Sequence, residues 1–266
     1  MLTPLAMRLW FGTRRHARPR HEQRALESAR AFRFHLNGGV VQAWEWAPAG
    51  WGAETQAPLI LLVHGWNGRG SQLRRFVPDL LDAGFRVICF DAPGHGDSEG
   101  RESSIFAFAD AIRHIDARHG PVHGLVAHSF GVMSALYALR DSAAPWRFVA
   151  IAPAPDFDLL VDSFAAWMCL PDGIVRRMRE RLTSRFGADL AEQVSPRRNA
   201  ARLSAEGLVV HDREDATVPV AAGRALAASL KDRGELMETT GLGHGRILRD
   251  PAVVAKAATF LAGSEE

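Results

Sequence analysis

The sequence predicts an α/β fold: a mostly parallel β-sheet with helices on both faces and a small helical cap insertion. Three observations point to it. Short runs that are apolar on nearly every residue recur along the chain, as parallel strands covered on both faces require. Helix-length amphipathic stretches separate the runs, and strand–helix–strand repetition implies a parallel sheet. Residues 154–203 break the rhythm, being too many for one crossover helix.

The elements follow in order. Residues 1–30 read as a basic N-terminal leader, disordered or helical: residues 1–35 hold eight arginines against Glu22 and Glu27. The start lacks the charge order and cleavage site of a secretory signal. Leu9, Trp10 and Phe11 beside the arginines suit an anionic membrane surface; a frayed leader is the plainer reading. No basic stripe continues into the domain, which argues against nucleic-acid binding. "AFRFHL", "NGG" and "VVQAWEWAP" then read as strand, turn and strand, a hairpin. "APAGWGAETQAP" is a loop. Buried strands follow at 59–64, 86–90, 122–128, 147–153, 207–211 and 235–240, with helices at 71–83, 103–119, 129–140 and 220–233 between them. The core thus comprises 31–153 and 204–266. The cap, 154–203, comprises "DFDLLVDSFAAWMCL", "DGIVRRMRERLTSRFG" and "ADLAEQVS", and as an insertion after a strand's carboxyl end it belongs over the ligand-binding edge of an open α/β sheet.

Composition bounds the class. Across 266 residues, 47% are hydrophobic and 23% charged, the balance of a globular protein that can bury a sizeable core. No apolar run is long enough to cross a bilayer. Cys89 and Cys169 make no disulfide framework, and Cys89 falls inside a buried strand; reduced thiols suit a cytoplasmic protein. Oligomeric state is not legible.

Ser129 is where chemistry enters. It stands between a predicted strand and helix, in Ala127-His128-Ser129-Phe130-Gly131. It reads either as an ordinary helix N-cap or as a nucleophile on a strained turn, where small flanking residues let strand and helix approach closely. Three other segments end strands at the same edge. After 59–64, His64-Gly65-Trp66 opens a loop whose Trp66 N–H, with that of Phe130, would form a two-donor oxyanion hole; a bare glycine turn is the alternative. After 207–211, "HDREDATVP" offers Asp215 to orient an imidazole, with Asp212 shaping the turn. After the last strand, "TTGLGHGRIL" carries His244 between Gly243 and Gly245 on a loop flexible enough to bring the ring over the sheet. His128 is expected to point away from the serine. Only His244 completes the chain order Ser, Asp, His: Ser129 attacks, His244 moves its proton, and Asp215 steadies the ring.

With these segments in view, the chain resembles the α/β-hydrolase family over about residues 31–262. "HGW", "DAPGHGDSEG", "AHSFG", "HDREDATVP" and "GLGHGRIL" fall in the family's order, with Ala127 where a glycine is usual. The resemblance implies a mostly parallel eight-stranded sheet, its first strand lost or shortened, under a small helical cap. It implies Ser129, Asp215 and His244 as catalytic residues, Trp66 and Phe130 as oxyanion donors, and no cofactor or metal. A serine at this elbow argues against dehalogenases and epoxide hydrolases, which place an aspartate there. The expected activity is hydrolysis of a small-molecule carboxylic ester or thioester through an acyl-enzyme. Acyl transfer, carbon–carbon bond hydrolysis and a non-catalytic binding scaffold remain the alternatives. Fold alone does not give substrate. The apolar face of the insertion, with Phe164, Trp167 and Met168, joins Trp66 as the expected lining for a hydrophobic acyl group, while Arg176, Arg177, Arg179, Arg181 and Arg185 read as a solvated face.

Overall fold

The computed structural model describes residues 2–48, 57–142 and 146–263. In chain order its elements are α1 (Leu2–Phe11), α2 (Arg20–Glu27), β1 (Arg30–Leu36), β2 (Gly39–Trp46), β3 (Leu59–Val63), α3 (Val77–Asp82) and β4 (Arg86–Asp91). Next come α4 (Ile105–His119), β5 (Val122–His128), α5 (Phe130–Ala138) and β6 (Arg147–Ile151). The interval 154–203 holds α6 (Phe157–Trp167), α7 (Asp172–Phe186), α8 (Leu190–Gln193) and α9 (Pro196–Arg202). Then β7 (Glu206–Asp212), α10 (Val220–Leu230), β8 (Gly234–Thr239), α11 (Gly243–Arg246) and α12 (Pro251–Ala262) follow. The loop expected at 47–58 lies mostly outside the described residues.

The strands form one eight-stranded sheet in the order β1-β2-β4-β3-β5-β6-β7-β8. β3 to β8 are mutually parallel, and β2 runs antiparallel to both β1 and β4. The first strand is neither lost nor shortened: β1 spans seven residues, because a two-residue turn at Asn37 and Gly38, with φ of 49° and 82°, pairs Leu36 with Gly39.

The solid apolar runs make sense in this sheet. Leu59, Leu61 and Val63 of β3 join one core with α4 and α5, while Ile60 and Leu62 join the other with α3 and α12. Each residue of β3 therefore has a covered face to enter, and all five are buried. β8 is the exception. It is an edge strand, half open to solvent, and carries Glu235 and Glu238, the kind of charge that keeps an edge from pairing with another chain.

Residues 2–27 are not a frayed leader. Trp10 stands edge-on to Phe157 at 6.0 Å and to Phe164 at 5.2 Å, and Phe11 tilts against Phe186 at 6.0 Å. The chain then crosses the loop after β4: Thr13 Oγ1 donates to the Gly94 carbonyl at 2.7 Å, and Arg18 reaches Asp91 at 3.0 Å and Asp97 at 2.6 Å. Leu2, Leu5 and Leu9 stay exposed. Trp10, Phe11, Arg14, Arg15 and Arg18 have partners in distant parts of the chain, which local sequence could not reveal. Among the described residues, no helix is long and apolar enough to cross a membrane.

Candidate active site

The site forms where β3, β5, β7 and β8 end on the same edge of the sheet. Ser129 follows β5 directly, with φ 52° and ψ −121°. A non-glycine residue there is strained, and the strain is held by its neighbours. Its N–H donates to the Ile151 carbonyl at 2.9 Å, and its carbonyl accepts from Val132 and Ala154. Ser129 occupies the N-cap position of α5, yet its side chain makes no capping hydrogen bond. That removes the N-cap reading. Gly131 is required by the same close approach, since a Cβ would sit 2.4 Å from the His64 carbonyl oxygen. Ala127, fully buried on β5, fits without displacing the turn.

His244 and Asp215 come together. His244 Nδ1 lies 2.7 Å from Asp215 Oδ2. With the proton on Nδ1 the imidazole donates to the carboxylate and leaves Nε2 free to accept one. Asp215 Oδ1 accepts from the N–H groups of Thr217 (2.8 Å) and Val218 (2.9 Å). Burial alone would raise its pKa, but hydrogen bonds from His211, His244 and the Val218 backbone outweigh burial and hold the carboxyl well below the usual range. It is therefore an anion at any working pH. Ser129 and His244 line the same cavity. The loop carrying His244 is ordered rather than free: it forms the short helix α11, with Gly241 and Gly243 at φ 80° and 61°.

Asp212 is buried at the end of β7 and binds that loop. Its carboxylate accepts from the Thr239 hydroxyl at 2.7 Å and from the N–H groups of Leu242 and Glu214, both at 3.0 Å. Asp212 and Asp215 therefore take different partners, the first the frame of the loop and the second His244.

Two histidines that the sequence left in the background also contribute. His128 Nε2 donates to the His244 carbonyl at 3.0 Å, and the two rings lie 4.6 Å apart. His128 turns toward the His244 loop and ties down its backbone. Burial, with the nearby His244 adding to it, pushes its pKa down to about 3 and keeps it neutral. His211, fully buried, places Nε2 at 3.0 Å from the Val218 carbonyl and 3.5 Å from Asp215 Oδ2. Its only signal in the sequence was a place four residues before Asp215, where a strand residue passes for ordinary core.

Trp66 and Phe130 stand together, rings 4.9 Å apart. Among the described residues no protein acceptor is found for the Trp66 N–H, and the Phe130 N–H opens α5, where a helix leaves its donors unpaired. Trp66, Phe164, Trp167 and Met168 all line one apolar cavity of about 570 Å³ that includes Ser129. Sequence reasoning missed its other wall: Leu9, Trp10 and Phe11 of α1 line it too. Among the described residues no cluster of side chains suited to hold a metal ion is found.

Residues 60–257 match the sequence model of the Alpha/beta hydrolase family. The chain belongs to that family. A pimeloyl-[acyl-carrier protein] methyl ester esterase of Methylococcus capsulatus is 40% identical over 86 residues, 32% of this chain and 32% of the relative. An epoxide hydrolase B of Mycobacterium tuberculosis is 32% identical over 102 residues, 38% of this chain and 27% of the relative. This α/β-hydrolase chain spans about a third of the length of these curated relatives. An esterase of Pyrococcus furiosus superposes with a TM-score of 0.67 at 17% identity, over 95% of this chain and all of that one, a likeness of fold.

Proposed function

We propose that this α/β-hydrolase is a serine hydrolase that cleaves a carboxylic ester or thioester with a hydrophobic acyl group. The observation that carries the reading is a strained serine with an uncommitted hydroxyl at a cavity it shares with His244, itself bonded to Asp215. Ser129 Oγ attacks the carbonyl carbon while His244 Nε2 takes its proton. The oxyanion that forms is met by the N–H groups of Trp66 and Phe130. Collapse expels the alcohol or thiol, which leaves with the proton from His244, and Ser129 keeps the acyl group. Water, deprotonated by His244, repeats the attack and frees the acid. The relatives named above include an esterase and an epoxide hydrolase; a serine at position 129 favours the esterase.

The test is a fluorophosphonate probe applied to the wild type and to Ser129→Ala, with intact mass and peptide mapping. One adduct on Ser129, absent from the variant, is expected. A folded wild type that takes no adduct favours a binding scaffold instead. Acyl transfer is distinguished by offering alcohol or amine acceptors and analysing the products.

A further inference from the structure

Ser129 stands where two cavities meet. Trp66, Asn67 and Ser129 line both; the rest of the first is mostly apolar, and the second gathers Arg74, Arg246 and Arg249. The first cavity is the apolar one between α1, α6 and α7. The second, about 560 Å³, lies between the loop after β3, the start of α2 and the segment 242–249, and is lined by Gln72, Arg74, His244, Arg246 and Arg249 among others. Ser129 therefore borders both an apolar space and an arginine-lined one.

The charge of the second cavity is unbalanced. Glu22 is the one acidic side chain among its described lining residues, and it is already committed: Arg69 donates to it at 2.6 and 3.1 Å, and Ser71 at 2.7 Å. Arg74 reaches it only at 3.9 Å. Arg246 is braced by the Gly241 carbonyl at 2.5 Å, and among the described residues neither Arg246 nor Arg249 has a carboxylate within ion-pairing distance. Burial lowers the Arg74 pKa against the pull of Glu22, and Arg75, Arg249 and Arg69 lower it further, as cations gathered with too little counter-charge would. Guanidinium groups stay charged throughout the working range and match phosphate oxygens in bidentate geometry. By contrast, two of the cap arginines are spent elsewhere: Arg179 bonds Asp158 and Asp162, and Arg185 lies over the rings of Phe11 and Phe186.

We infer that the leaving group of the substrate carries a phosphate, held by Arg74, Arg246 and Arg249 while the acyl chain fills the apolar cavity. The inference rests on the proposed serine-hydrolase reading and adds the chemical class of the departing alcohol or thiol. That class has two natural sources, a nucleotide-linked thiol and a glycerol phosphate.

Two matched substrate pairs test it. Octanoyl-coenzyme A is compared with octanoyl-N-acetylcysteamine, and octanoyl-glycerol 3-phosphate with octanoylglycerol. In the wild type, kcat/KM is expected to favour the phosphate-bearing member of one pair at least tenfold, and that pair identifies the source. In Arg246→Gln/Arg249→Gln the preference is expected to fall about tenfold, through KM; both side chains are exposed, so the fold is retained. Arg176→Ala, outside the cavity, should keep the preference. Equal rates within both pairs, or a preference untouched by the double variant, overturn the inference while leaving the hydrolase reading intact. Calorimetry decides independently of turnover: coenzyme A or glycerol 3-phosphate should bind Ser129→Ala, with Kd at least tenfold weaker when the two arginines are also changed. No binding of either at millimolar concentration overturns the inference. No turnover of any of the four substrates together with no fluorophosphonate adduct overturns the hydrolase reading, and with it the assignment of the phosphate to a leaving group.

Discussion

Two carboxylates three residues apart in the chain receive different partners, and the difference sets what each can do. Asp215 gives Oδ2 to His244 and Oδ1 to two backbone donors; Asp212 gives both oxygens to the frame of the loop. Asp215→Asn replaces the anion that faces Nδ1–H and allows the wrong tautomer, so kcat is expected to fall by about 10³- to 10⁴-fold with folding unchanged. Asp212→Asn keeps one acceptor oxygen and should cost activity only a few-fold, with a lower melting midpoint from the loosened loop. Steady-state kinetics and thermal melts on both variants check this; a larger kcat loss at Asp212 would reverse the assignment. The proposed trio of Ser129, Asp215 and His244 could be picked out in the sequence because each follows a strand beside glycine or turn residues. His128 and His211 could not, because their partners are a backbone carbonyl 116 residues away and a strand-to-turn packing that spacing does not encode.

At the scale of elements, the parallel strands were readable because burial on both faces leaves no room for polar residues, as β3 shows with five buried side chains in a row. α4 and α10 were readable from their amphipathic faces, whereas α5 is buried along Gly131–Ala138 and has none. α1 was a different case. Its Trp10 and Phe11 sit among arginines, and the rings they meet, Phe157, Phe164 and Phe186, lie far along the chain. The sequence alone therefore shows an apolar patch without a partner, which reads as a frayed leader first and as a membrane-surface contact second. As a wall of the apolar cavity, α1 would touch a bound acyl chain. Trp10→Ala removes part of that contact, about 1–2 kcal/mol for a chain long enough to reach it. In kcat/KM for p-nitrophenyl esters, a loss of about tenfold is expected for octanoate and little change for acetate. Equal losses for both would mean that α1 only supports the cap.

For the whole molecule, the N-terminal segment is tied to the core through a buried ionic cluster. Glu22 is 5% exposed and Arg69 is 7% exposed; the carboxylate accepts from Arg69 Nε and Nη2 and from the Ser71 hydroxyl. Removing one member of such a pair leaves a buried charge without its counter-ion, which costs about 3–5 kcal/mol. Glu22→Ala is therefore expected to lower the urea midpoint sharply at neutral pH, where a merely appended leader would leave it unchanged. The pH dependence follows from the direction of the shift. Burial alone would raise the Glu22 pKa, but hydrogen bonds and charge from Arg69, Ser71 and Arg74 bring it below the ordinary 4.5. The folded state thus binds this proton more weakly than the unfolded chain does. Its stabilisation is fully present above the ordinary value and is lost as pH falls through the folded one. Wild type and Glu22→Ala should accordingly differ most above pH 5 and draw closer as the solution is acidified below about pH 4, with the wild type losing more. Urea titrations across that range separate the two cases: a gap that stays constant with pH would assign the loss to packing, and a gap that closes would assign it to the ion pair that fastens the N-terminal helices to the sheet.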